Sequence, residues 1–118
     1  LLNKINNELG TITIDTEVIA RIAGIAATGC YGIVGMAAKS VKDGLVHLLK
    51  MESLTKGVRL EMDDEYLTIN LYIIVEYGTN INAIAETLKD NVKYRVEDQT
   101  GLPVGQVNVF VEGVRIGQ

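Results

Sequence analysis

Apolar and polar residues take turns over residues 10–14, with Ile12 and Ile14 on one side and Thr11 and Thr13 on the other. That two-residue period predicts a short strand. Asp15 follows with an oxygen placed to cap a helix, and Glu17 falls in the first turn, where the helix dipole favours an acid. Val18, Ile22, Ile25 and Ala26 then recur at the helical period, predicting an amphipathic helix that stops near Gly29. Residues 29–36 are punctuated by glycine and read as a turn with a short extended piece. Residues 40–50 read as a second helix with Val41, Leu45, Leu48 and Leu49 as its apolar face. Gly44 inside that helix costs about 1 kcal/mol relative to alanine.

The two-residue period returns at Val58, Leu60 and Met62. After the acidic turn Asp63-Asp64-Glu65 it runs through Leu67, Ile69, Leu71, Ile73 and Val75. An antiparallel hairpin is predicted, its longer strand central in the sheet because the alternation is so long and even. Asn80 caps a helix whose stripe is Ile81, Ile84, Ala85, Leu88, Val92 and Val96, and Gly101 and Pro103 end it. The last strand carries Val107, Val109 and Val111 on one face until Gly113 shifts the phase to Val114 and Ile116, which predicts a bulge. The order strand, helix, (helix), strand, strand, helix, strand predicts an α+β fold. It is of the split β-α-β type, with helices on one face of a mostly antiparallel four-stranded sheet.

The chain's 118 residues fit one domain over residues 1–118. With 47% hydrophobic and 22% charged residues it lies outside the disordered regime. Each fully buried aliphatic side chain contributes about 1.5–3 kcal/mol, so no disulfide or metal staple is required. The core is expected to be aliphatic, because there is no tryptophan and Phe110 is the one phenylalanine. A net charge of −4 works against nucleic acid, whose binding draws on clustered cations. The single cysteine, Cys30, excludes an internal disulfide and fits a reducing, cytoplasmic setting. With one histidine, His47, the chain also has too few ligands for a Cys/His zinc site. No apolar run approaches the ~18 residues of a membrane span, so direct insertion is not expected. No signal peptide is readable, and since the chain opens on Leu1-Leu2-Asn3 rather than methionine, that holds for these residues only.

A nucleophilic centre would have to draw on His47, Cys30 and Ser40 or Ser53. His47 reads as a surface histidine and Cys30 as a small buried hydrophobe. The acidic turn lacks the spacing of a calcium loop and reads as a solvated hairpin tip. No catalytic, metal-binding or cofactor-binding set is legible. Gly29, Gly32 and Gly35 recur at every third position, which fits neither a Walker loop nor the dinucleotide fingerprint. Gly29-Cys30-Tyr31-Gly32 does have the G-x-x-G form with which KH domains clamp a nucleic-acid backbone, so an RNA-binding module is the alternative reading. Its uncharged middle and the acidic chain favour a structural turn at positive φ. Tyr72, Ile74 and Phe110 fall on the strand faces opposite the predicted core. If that face is bare they form a candidate interface; if the N-terminal segment covers it they do not.

Cys30-Tyr31-Gly32-Ile33-Val34-Gly35-Met36 closely resembles the hallmark of the alkaline shock protein family, the envelope stress response proteins of Gram-positive bacteria. The likeness extends back through Gly10-Thr11-Ile12-Thr13-Ile14 and Glu17-Val18-Ile19-Ala20. It continues through Tyr72-Ile73-Ile74-Val75-Glu76-Tyr77-Gly78 and Val107-Asn108-Val109-Phe110-Val111-Glu112-Gly113-Val114. Lys42-Asp43-Gly44-Leu45 is similar to the single-domain housekeeping branch, whose genes often sit beside a fatty acid kinase-like enzyme. The resemblance implies an abundant, non-enzymatic cytoplasmic protein of cell-envelope homeostasis. It further implies self-assembly into homo-oligomers, and a link to the inner face of the membrane through a small membrane-anchored partner. It brings no catalytic residues.

Overall fold

The computed structural model describes residues 2–7, 10–39, 46–48, 55–63 and 65–116. Strands β1 (Leu2–Asn7) and β2 (Gly10–Asp15) pair antiparallel in a hairpin of their own. Helix α1 (Thr16–Thr28) starts on Asp15, whose carboxylate accepts from the Glu17 N–H at 2.8 Å. Then come β3 (Ile33–Lys39), β4 (Val46–Leu48), β5 (Val58–Met62) and β6 (Leu67–Glu76). Helix α2 (Ile81–Thr100) and β7 (Val104–Arg115) complete the order. Asn80 caps α2 by accepting from the Ala83 N–H at 3.1 Å, and Gly101 closes it in the left-handed region.

The main sheet is organised around β6. On one edge β7 runs parallel to it from Val104 to Arg115. On the other edge two strands lie end to end, both antiparallel: β5 opposite Leu67 to Leu71, and β3 opposite Ile73 to Val75. Between them the chain makes an excursion in which Ala37, Ala38 and Lys39 pair with Leu48, His47 and Val46 of β4. It returns at Gly57, where a Cβ would sit 2.9 Å from the Met36 Cβ and 3.0 Å from the Ala37 carbonyl. The excursion therefore ends where it began, and only a residue without a side chain fits its closing point.

The α+β class, the β5–β6 hairpin and the central place of β6 agree with the sequence pattern. So does the bulge, which appears as a register shift between Val111 and Gly113. Three details differ. The predicted first strand belongs to the separate β1–β2 hairpin, because a neighbour next to it in sequence closes with little loop entropy. The β6–α2–β7 unit is not split: its two parallel strands are direct neighbours. Within the predicted helix at residues 40–50, Val46, His47 and Leu48 are strand β4, and the rest of that span lies outside the described residues. The edge of β3 offers those residues backbone partners, which a helix interrupted by Gly44 competes with poorly.

Both helices pack on one face of the sheet. Leu67, Ile69, Leu71, Ile73 and Val75 of β6 meet Leu88, Val92 and Val96 of α2 and the inner side of α1 in one core. For α1 that inner side is Ile19, Ala20, Ala23, Gly24, Ala26 and Ala27. Of the stripe read from the sequence, Ala26 is buried and Ile22 is partly buried against the core, while Val18 and Ile25 point the other way, 50% and 46% exposed. The helix is apolar on two sides, and the side with small residues goes inward because helix axes approach most closely where side chains are short. Replacing the fully buried Ala23 with leucine is expected to lower stability by about 1–3 kcal/mol through overpacking. Ile25→Ser is expected to stay within about 0.5 kcal/mol. Urea denaturation of the two variants checks this, and the reverse order would return the Val18 side to the core.

Candidate interaction surface

The glycine-rich motif links the end of α1 to the sheet. Gly29 closes the helix, its N–H donating to the Ile25 carbonyl at 3.3 Å. Cys30 is buried, its thiol donating to the Ala26 carbonyl at 3.5 Å while the Asn91 amide donates to the sulfur at 3.2 Å, so the side chain ties α1 to α2. Tyr31 projects outward at 87% exposure. Gly32 has φ +85°, and a Cβ there would run into the Ile84 side chain. Its carbonyl accepts from the Glu76 N–H at 2.9 Å. Ile33 packs against the core, Val34 is exposed, Gly35 lies opposite Ile74, and Met36 is buried. The spacing of the first two glycines thus has a structural cause in a cap and a left-handed turn. Gly32→Ala is expected to cost about 1–2 kcal/mol from the backbone alone. Adding Ile84→Ala should not restore the loss, and thermal melting of the single and double variants measures it; a neutral single variant would contradict this assignment.

The acidic turn resolves into structure as well, whereas Ser40 and Ser53 of the candidate nucleophilic set lie outside the described residues. Asp63 accepts from the N–H groups of Tyr66 at 2.6 Å and Glu65 at 2.9 Å. Those two bonds, Tyr66 first, hold its carboxyl below the ordinary value of 3.8. The acidic turn is therefore a side-chain-closed turn; Asp64, and the side chain of His47, lie outside the described residues. Among the described residues no group of three or more His, Cys, Asp or Glu could hold a metal ion. No helix there is long and apolar enough to cross a membrane.

The sheet face away from the helices has two zones. Toward the start of β6 it is polar. Asn70 donates to Glu61 at 3.3 Å, Asn108 donates to Asn70 at 2.8 Å, and Gln106 donates to Asn108 at 2.8 Å. This amide row crosses β5, β6 and β7. Two residues further along, Tyr72 and Phe110 sit opposite each other in the β6–β7 register and stack with ring centroids 5.0 Å apart and planes 14° from parallel. Phe110 is 42% exposed and Tyr72 half-buried. Ile74, expected beside them on the surface, has no exposed area, so of the three candidates Tyr72 and Phe110 are accessible.

A second apolar surface was missed in the sequence. The outward Val18 and Ile25 and the partly buried Ile22 line a groove of about 320 Å³ together with Glu17, Arg21, Arg95 and Gln99. The signal lay in the spacing of Ala20, Ala23, Gly24 and Ala27, a small-residue face that marks close helix contact on the opposite side.

The chain is an α+β domain whose glycine-rich motif serves as a structural joint. Residues 4–116 match the alkaline shock protein family, described as having a cell envelope-related function, and the chain belongs to that family. YloU of Bacillus subtilis (strain 168) is 46% identical over 114 residues, 96% of this chain and 95% of that protein. Spy1614 of Streptococcus pyogenes serotype M6 is 36% identical over 114 residues, 96% and 94% of the two chains. A stress response regulator gls24 homolog of Streptococcus pyogenes serotype M3 is 31% identical over 109 residues, 90% of this chain and 59% of the relative. No solved structure matches the chain.

Proposed function

We propose that the protein is a non-enzymatic interaction protein of the envelope stress response and cell-envelope homeostasis, acting through self-association or partner binding. The observation that carries this reading is the stacked Tyr72–Phe110 pair, left partly in water on a sheet face that is otherwise closed by a hydrogen-bonded amide row. An aromatic pair of this kind gains about 0.5–1.5 kcal/mol beyond its buried area, and such residues are enriched at interfaces. The family's cell envelope-related function and the stress-regulator name of one relative give the setting. A cytoplasmic site at the inner face of the membrane, with a membrane-anchored protein or a fatty acid kinase-like enzyme as partner, accords with that setting.

Light scattering over a concentration series tests the reading. The parent chain is expected to rise above monomer mass, and the double variant Tyr72→Ser, Phe110→Ser to shift that rise to at least about tenfold higher concentration, a loss of about 1.4 kcal/mol. An unchanged far-ultraviolet spectrum would show that the fold survives. Identical mass curves for a folded variant and its parent would remove the aromatic pair from the interface.

A further inference from the structure

Strand β7 runs for twelve residues, about twice the usual strand length, and among the described residues it pairs only with β6. Among the described residues, its outer edge leaves a row of backbone N–H and C=O groups without ladder partners. Proteins normally blunt such an edge with lysine, proline or an inward-pointing charge. Here Val104-Gly105-Gln106-Val107-Asn108-Val109-Phe110-Val111 contains no charged residue and no proline. Glu112 and Arg115 come only at and after the register shift. This edge therefore carries strong strand formers and nothing that repels another strand.

Resting on the self-association reading, we propose that a second copy of this chain pairs with this edge, β7 against β7 antiparallel, about a two-fold axis at Val109. Strand self-pairing about a two-fold must be antiparallel, and directly opposite residues must point to the same face. Val107, Val109 and Val111 line the helix side of the sheet, the first buried and the other two partly so. Centring on Val109 sets Val107 against Val111 of the second copy and Val109 against itself, so all three valines find apolar partners. Moving the centre by one residue leaves a valine unmatched. On the open face the same register sets Phe110 against Asn108 of the other copy. The two Phe110 rings become diagonal neighbours at about 7–8 Å, within aromatic reach. The two Tyr72–Phe110 stacks then join in one row, and the exposed ring edge is covered. No like charges meet between residues 104 and 111.

Cysteine cross-linking in a Cys30→Ser background tests the register. Val109→Cys is expected to give a covalent dimer under mild oxidation, because the two positions face each other at a distance a disulfide spans. Val107→Cys alone is expected to cross-link at least about tenfold more slowly, since its two copies lie about 14 Å apart, beyond disulfide reach. Mixing Val107→Cys with Val111→Cys should restore the bond. Sedimentation of the Cys30→Ser parent accompanies the test. If the parent self-associates while Val109→Cys fails to cross-link, or links no faster than Val107→Cys, the edge pairing is overturned and self-association stands. If the parent stays monomeric at every concentration, both fall, and the edge is left to an extended segment of another protein.

Discussion

Strand β6 is paired along both edges, by β7 on one side and by β5 and β3 in turn on the other, and its odd-numbered side chains are buried under both helices. Ile74 on its reverse face is buried as well. A strand so enclosed leaves little freedom to its neighbours. The order of β3 and β5 along one edge forces the chain between them into an excursion that must return to its starting point. That return is why Gly57 has no space for a side chain. The parallel β7 needs a crossover, and the twenty residues of α2 supply it across the face that β6 makes apolar. Helix α1 then fills the remainder of that face, and its alanines let it sit close.

The same constraint decides which surfaces remain for function. The helix face of the sheet is used up by the core. On the side away from β7, strand β4 occupies the edge of β3, while β5 is five residues long and carries Arg59 and Glu61. Charges on a short strand discourage another strand from pairing there. The described residues still offer the reverse face with its aromatic pair, the outer edge of β7, and Val18 and Ile25 on the outer side of α1. These are apolar or hydrogen-bonding surfaces, and among the described residues Cys30 and Asp63, which looked chemical in the sequence, serve the fold. Cys30 ties two helices together, and Asp63 closes a turn. In a member of a family with a cell envelope-related function, that distribution is what the proposed interaction role draws on.

Much of this was legible before the structure. The unbroken alternation of Leu67, Ile69, Leu71, Ile73 and Val75 announces the central strand, and the spacing of Ile84, Leu88, Val92 and Val96 announces α2. Each of these segments has one apolar period and no competitor. Helix α1 was harder, because Val18, Ile22 and Ile25 and the alanine face both follow the helical period, and bulk alone selects the wrong one. β4 was hidden because its three residues take their conformation from the edge of β3, a long-range pairing that local propensity does not encode. The aromatic pair was half legible. Alternation placed Tyr72 and Phe110 on the reverse face, but the burial of Ile74 beside them depends on packing that no spacing rule reports.

Saturation of β6 makes β7 the strand whose outer edge is open among the described residues. Native-state hydrogen exchange of the backbone amides, read at low and high protein concentration, probes both at once. The amides of β6 are expected to exchange slowest at both concentrations. Outward-pointing amides of β7 are expected to exchange quickly in dilute solution and to slow down as concentration rises. β7 amides protected to the level of β6 in dilute solution, or unchanged by concentration, would contradict the open edge.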